Sequence, residues 1–355
     1  MSRFFSNKYS SLVPYTPGEQ PKRMTEYIKL NTNESPFPPS EKAQAAAREA
    51  AASLQLYSDP TCARLNAAMA QRFGVAPDEI LMTNGSDEIL NFAFMAYCDD
   101  KTPAAFADIT YGFYPVFAEI NRVPSRVIPL REDFSVRVED YFGLGCTIFI
   151  ANPNAPTGIA LPVCEIERIL LANPDNIVVV DEAYVDFGAQ SCVPLIHKYG
   201  NLLVTQTFSK SRSMAGARLG FGIASRELIA DLNTVKYSTN PYNINSMTMA
   251  AGIGAISDEE YTQRNCRTIM ENREYASQKL RRLGFSMTES MTNFIFAESC
   301  DIEGGELYRK LKERGILVRH FDRPEISNYN RITVGTREQM DALIDAVEQI
   351  LNEKK

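Results

Sequence analysis

Between about residues 79 and 224, short β-branched and apolar runs alternate with stretches whose apolar residues fall at helical spacing. The runs are Glu79 to Thr83, Ala104 to Asp108, Arg126 to Leu130, Thr147 to Ala151, Asn176 to Asp181, Asn201 to Thr207 and Leu219 to Ala224. Several are apolar throughout, as strands covered on both faces are. Ser86 to Tyr97 is a representative intervening stretch: Ser86 serves as a cap, two acids follow, and Ile89, Leu90, Ala93, Phe94 and Tyr97 then line one helical face. Such alternation predicts an α/β fold, a large domain whose mainly parallel sheet is sandwiched by helices. In sheets of this kind ligands bind beyond the carboxyl ends of the strands.

After Asn240-Pro-Tyr-Asn243 the pattern turns helical, with an amphipathic segment from about Asp258 to Leu283. Phe285 to Met287, Phe294 to Ala297 and Arg331 to Val334 read as strands. Thr336 and Gln339 form a capping box ahead of a last helix carrying Met340, Leu343, Ile344, Val347 and Ile350. The chain therefore divides into an N-terminal arm (1–40), a large domain (41–255) and a small α+β C-terminal domain (256–355). The arm, with prolines from Pro14 to Pro39, has too little periodicity to fold alone and is expected to lie across the body or onto a partner chain.

Composition narrows the function. The chain has 355 residues, 45% of them apolar, enough for a large core. No apolar run approaches a membrane span and the N-terminus lacks a signal-peptide core, so a cytoplasmic protein is expected. A net charge of −7 without a basic stripe argues against nucleic acid. Seven scattered cysteines without a C-x-x-C pair, and only two histidines, His197 and His320, argue against a disulfide framework, a metal centre and histidine-triad chemistry. Gly143-Leu-Gly145 lacks a third glycine, and neither a P-loop nor a G-x-S-x-G elbow occurs.

The chemistry gathers at strand exits. Lys210 sits among small and hydroxyl residues in Thr207-Phe-Ser-Lys-Ser-Arg-Ser-Met-Ala-Gly-Ala-Arg218, directly after an apolar run. A lysine so placed can offer a neutral amine to a carbonyl. Thr207, Ser209, Gly216 and Arg218 are groups suited to a phosphate. Asp181 and Tyr184 close another run and supply a carboxylate and a phenol, which a pyridine cofactor needs at its ring nitrogen and hydroxyl. Together they read as a pocket for pyridoxal phosphate. Asn84-Gly-Ser-Asp-Glu88 is an anion site or a plain helix cap, Asn152-Pro-Asn-Ala-Pro-Thr-Gly158 a ligand wall or a plain turn, and Tyr111 a ring platform or a core aromatic.

These motifs, with Leu12-Val-Pro-Tyr-Thr-Pro-Gly18, Lys29-Leu-Asn-Thr-Asn-Glu-Ser35, Tyr57-Ser-Asp-Pro60, Gly315-Ile-Leu-Val-Arg319 and Arg331-Ile-Thr-Val-Gly-Thr336, resemble the fold-type I pyridoxal-phosphate aminotransferases over nearly the whole chain. Within them the chain resembles the histidinol-phosphate aminotransferase family. The resemblance implies that Lys210 holds the cofactor covalently and moves the substrate α-proton. It implies further that Asp181 pairs the ring nitrogen, Tyr184 the ring hydroxyl, and Tyr111 stacks on the ring. Thr207, Ser209, Arg218 and the Gly85-Ser86-Asp87 turn would surround the cofactor phosphate. Tyr57 would reach the partner's cofactor in a homodimer. Arg331 would clamp the carboxylate of glutamate, and Arg331, Arg319 and Tyr15 would meet the phosphate of histidinol phosphate.

One position departs from the family: Ala155 stands where asparagine usually precedes Pro-Thr-Gly, with Asn154 one step earlier as a candidate for the ring hydroxyl. The expected reaction is transfer of the amino group from histidinol phosphate to 2-oxoglutarate. Alternatives on the same fold are an aromatic amino-acid aminotransferase and a threonine-phosphate decarboxylase; a cofactor-binding protein without activity is a more distant one.

Overall fold

The computed structural model describes residues 2–20 and 27–353. Residues 21–26 of the N-terminal arm lie outside the described residues. A short strand β1 (Ile28–Lys29) follows them. Then come β2 (Ile80–Thr83), β3 (Ala104–Ala107), β4 (Ser125–Ile128), β5 (Thr147–Ala151), β6 (Val178–Asp181), β7 (Leu202–Thr207) and β8 (Gly220–Ala224). These seven build one sheet in the order β2-β8-β7-β6-β5-β3-β4. Neighbours are parallel except β8, which runs antiparallel to both β2 and β7. All four residues of β2, β3 and β6 are buried, whereas edge strand β4 is buried only at Ile128. The expected strand to Leu130 ends at Ile128 because Pro129 has no N–H to give the ladder.

One apolar cluster, with Leu65, Ile148, Ile166, Val178 and Val204, covers one face of the sheet, and a second, with Ile89, Phe94, Phe149, Val179 and Leu203, covers the other. Val178 and Val180 point one way and Val179 the other, as the two-residue period of a strand requires. Complete burial of each is worth roughly 1.5–3 kcal/mol, so this apolar run fixes the register that delivers Asp181 to the sheet's edge.

The helices on the sheet include α1 (Glu41–Ala50), α2 (Ala63–Phe73), α3 (Ser86–Tyr97), α4 (Tyr114–Asn121), α5 (Val163–Ala172), α6 (Arg226–Thr239) and α7 (Ser246–Ile256). In α3 the N-cap is Gly85, with φ of +79° and no side-chain oxygen, and Ser86 is the first helical residue. Ser86 is thus not the cap the sequence suggests, and its first-turn amides are free of a side-chain cap.

The second core forms where α8 (Glu259–Arg282), β9 (Phe285–Met287), β10 (Phe294–Ser299), α9 (Gly304–Glu313), β11 (Ile316–Leu317), β12 (Arg319–His320), β13 (Asn330–Thr333) and α10 (Arg337–Asn352) pack together. Its antiparallel sheet has the order β12-β13-β10-β9. The capping box of α10 forms as the sequence predicts, Thr336 Oγ1 accepting from Gln339 N–H and Gln339 Oε1 from Thr336 N–H. The strand β1 pairs with β11 in parallel and so ties residues near the N-terminal arm to this second layer. The architecture is an α/β fold with a mainly parallel sheet between helices and a smaller antiparallel sheet beside it.

Candidate active site

Beyond the carboxyl ends of β5, β6 and β7 lies a cleft with two connected lobes. The inner, of about 180 Å³, is lined by Ser86, Asp87, Tyr111, Asp181, Tyr184, Thr207, Ser209, Lys210 and Arg218 among others. The outer, of about 510 Å³, is lined by Tyr15, Phe321, Arg319, Arg323 and Arg331, and shares Thr32, Asp87, Tyr111, Ala155, Tyr184 and Lys210 with the inner. Lys210 thus stands at the junction.

Lys210 follows β7 in a loop anchored from both sides. Ser209 N–H donates to Thr207 Oγ1 at 3.1 Å, and Ser211 donates its hydroxyl to Asp186. The Lys210 ammonium donates to the carbonyl of Thr32 at 3.2 Å and lies 5.7 Å from the Tyr184 ring centre. Asp181, at the end of β6, is 5% exposed. It accepts from Tyr114 Oη at 3.1 Å and Thr205 Oγ1 at 3.3 Å. Burial pushes its carboxyl up to about 6, against the pull of those hydrogen bonds, with the nearby Asp87 adding to the rise. A cation beside it would reverse that penalty. The next residue, Glu182, points to the other side of the strand and is spent on structure, accepting from Ser191 Oγ, Cys192 N–H and Gln206 Nε2.

Tyr184 is held by Asn33, whose Nδ2 donates to the phenol oxygen at 2.8 Å. Asn33 adopts a left-handed conformation with φ of +56°. It is locked there by Thr333 and by Asn293 Nδ2, which donates to its carbonyl at 2.9 Å. Asparagine tolerates this region better than most residues.

The turn before α3 forms a cradle. A Cβ on Gly85 would fall 2.4 Å from Arg218 Nη2, and one on Gly220 would fall 2.3 Å from Ser86 N, so both positions require glycine. Arg218 approaches Ser209 Oγ at 3.4 Å and Asp87 Oδ2 at 3.3 Å. Asp87 also accepts from Tyr111 Oη at 2.6 Å, so its carboxylate is engaged and its backbone N–H is what it offers a ligand. Burial, with Asp87 second, raises the Tyr111 phenol well above its ordinary range, which keeps it a neutral donor. A helix N-terminus, two hydroxyls and a guanidinium converge here as a phosphate requires. With the Lys210 amine and the Asp181 carboxylate at the same cavity, the donor set could hold a phosphorylated pyridine aldehyde.

At the outer lobe the Arg331 guanidinium is buried, which lowers its pKa. It donates to the Asn31 carbonyl at 3.1 Å, while its Nε is buried without a partner. Among the described residues the hydrogen bonds of Arg319 go to the carbonyls of Thr16 and Pro17, at 3.3 and 3.4 Å. Tyr15 packs against Phe113, the rings tilted with centres 4.3 Å apart, and Glu19 is clasped by Lys312 and Tyr308, so residues 15–20 cross the mouth of the cleft.

Two expected residues are not brought to this cavity. Asn154 is buried, but its amide donates to the Ile109 carbonyl and Thr157 Oγ1 while its oxygen accepts from Thr110 Oγ1. Its polar atoms are consumed by its own loop and by the loop after β3, and Ala155 faces the cleft instead. Tyr57 is 84% exposed and stacks on Tyr242, with centres 4.7 Å apart, away from this chain's own cleft. Sequence reasoning assigned no role to Asn33, Thr32, Tyr114, Thr205 or Phe321. Asn33 and Thr32 lie in the Lys29 to Ser35 motif, and Tyr114 in the Thr110 to Tyr114 motif, so the segments were visible but the individual roles were not.

The family model for "Aminotransferase class I and II" matches residues 25–347. A histidinol-phosphate aminotransferase of Marinomonas sp. is 49% identical over 354 residues, covering 99% of this chain and 100% of that protein. Another, of Aromatoleum aromaticum, is 47% identical with the same coverage of 99% and 100%. Among solved structures, the histidinol-phosphate aminotransferase of Sinorhizobium meliloti in complex with pyridoxal-5'-phosphate superposes with a TM-score of 0.83 at 22% identity, covering 92% of this chain and 91% of that one, a likeness of fold.

Proposed function

Because this chain belongs to the class I and II aminotransferases, in the histidinol-phosphate aminotransferase family, we propose that it transfers the amino group of histidinol phosphate to 2-oxoglutarate with pyridoxal phosphate bound at Lys210. The observation that carries this reading is the two-ended cleft: a lysine amine and a buried carboxylate at one end, and at the other Arg319 and Arg331, which have no acidic partner among the described residues. When bound, the cofactor supplies an aldehyde and an electron-poor ring that accepts the electron pair left by the departing α-proton.

The rest of the reaction falls to this chain's own side chains. Lys210 would hold the cofactor through its Nζ, and the same amine would carry the proton between the substrate α-carbon and the cofactor. Asp181, whose charged form a cation beside it would favour against the penalty of burial, would hold a proton at the ring nitrogen. Tyr184, fixed by Asn33, would donate to the ring hydroxyl. Arg218, Ser209, Thr207 and the Gly85-Ser86-Asp87 turn would hold the phosphate, and Tyr111 would pack against the ring. Arg331 and Arg319, with Tyr15, take the substrate's phosphate or a carboxylate of the second substrate, since among the described residues these two guanidiniums donate only to backbone carbonyls. Residues 15–20 cover the cleft and limit access of water.

Tyr57 serves the neighbouring subunit of a homodimer, a reading supported by its exposure together with that of Leu54 and Leu56 beside it. The seven cysteines are all unpaired, which suits the reducing cytoplasm. Full-length likeness at 47–49% identity to proteins named histidinol-phosphate aminotransferase favours this substrate over an aromatic amino acid or threonine phosphate. Borohydride reduction followed by peptide mass mapping tests the cofactor assignment. The expected result is one pyridoxyl mass on the peptide containing Lys210 and none in Lys210→Ala; label elsewhere, or none, overturns it.

A further inference from the structure

Arg319 and Arg331 are direct cross-strand partners on the antiparallel strands β12 and β13. Like charges placed opposite one another on paired strands are destabilising unless something offsets their repulsion. Here neither guanidinium makes an ion pair among the described residues; each donates only to backbone carbonyls. What stands beside both is Phe321, its ring centre 5.6 Å from Arg319 Cζ and 5.8 Å from Arg331 Cζ. Arg331 has a second ring, Phe294, 5.3 Å away, so aromatic faces flank it on two sides.

Phe321 is itself fixed. Its ring lies edge-on to Phe296, with centres 6.3 Å apart, and packs on the cluster of Ile109, Phe296 and Ile326. An aromatic face attracts a cation without neutralising it, so it can hold a guanidinium in place and still leave its full charge for a ligand. A carboxylate in the same place would hold the arginine but compete with the ligand.

We infer that Phe321 is a positioning residue for the substrate anion, a spacer that keeps the two arginines apart and oriented so that one doubly charged phosphate engages both. The inference rests on the phosphorylated substrate proposed above and adds a residue that determines the preference for it. Phosphate recognition needs both cations at a set separation, whereas a single carboxylate is satisfied by Arg331 alone. Loss of the spacer therefore weakens phosphate binding more than carboxylate binding.

The test uses holoenzyme, in which the cofactor already fills its own phosphate site, and inorganic phosphate as a competitive inhibitor against glutamate. Phe321→Leu keeps apolar bulk and loses the aromatic face; Phe321→Tyr keeps both. The expected result is an inhibition constant for phosphate raised about tenfold in Phe321→Leu, a smaller rise in KM for glutamate, kcat within about threefold, and near wild-type behaviour in Phe321→Tyr. Equal phosphate inhibition in all three proteins, or equal loss in the Leu and Tyr variants, overturns the spacer alone. A wild-type enzyme that inorganic phosphate does not inhibit overturns both the spacer and the phosphorylated-substrate reading.

Discussion

The inner and outer ends of the cleft handle charge in opposite ways. At the inner end each charged or polar group is already engaged: Asp181 with Tyr114 and Thr205, Tyr184 with Asn33, Arg218 with Asp87 and Ser209. At the outer end the guanidiniums of Arg319 and Arg331, on facing strand positions, have backbone carbonyls and aromatic rings as their partners among the described residues. An engaged site suits a resident group held in one pose. An uncompensated one suits visitors that bring their own negative charge and then leave. The contrast explains how one cleft serves two unlike substrates: the charge they share is met at the outer end, while the reacting carbon is presented to Lys210 at the junction.

If the inner end works through the charge of Asp181, its removal has the largest effect. Asp181→Asn keeps the shape and loses the anion, and kcat/KM for amino transfer should fall on the order of 10²–10³-fold. The same residue gives a pH signature. Burial raises the folded carboxyl from 3.8 to about 6, so without cofactor the folded state favours the protonated acid and loses stability as pH rises through about 6. A cation at the ring nitrogen removes that loss. The cofactor's increment to the melting temperature should therefore grow from about pH 5 to about pH 8, and Asp181→Asn should flatten the growth. A flat wild-type increment would break the contrast between the two ends. A smaller effect is expected at the outer end, where Arg331→Lys retains charge but loses the planar fork; KM for substrate should rise about 10- to 100-fold with kcat less affected. An equal loss in both parameters would mean that Arg331 also shapes the inner end.

The sequence reveals the two ends unequally, for a physical reason. Asp181, Lys210 and the Gly85 turn each follow an apolar run, and a run that must be buried on both faces places its exit at the sheet's edge. The outer end depends on pairings that periodicity does not encode. Strands β11 and β12 have two residues each, too short to show alternation, and it is the pairing of β12 with β13 that brings Arg319 opposite Arg331. Asn33 reaches Tyr184 across 151 positions and Thr333 across 300. Asn154 shows the converse, since a motif locates a side chain in sequence but not the direction in which it turns; nearby partners at Ile109, Thr110 and Thr157 decide that. Ser86 resembles a cap because serine often is one, whereas the positive φ of Gly85 starts the helix one residue sooner.

The most direct test of a cleft with an occupied inner end and a charge-hungry outer one is a comparison of steady-state kcat/KM for histidinol phosphate, phenylalanine and phosphothreonine with purified holoenzyme. The account predicts a preference for histidinol phosphate over phenylalanine of at least about 100-fold, with no carbon dioxide released from phosphothreonine. Equal or better turnover of phenylalanine, or decarboxylation of phosphothreonine, would contradict it.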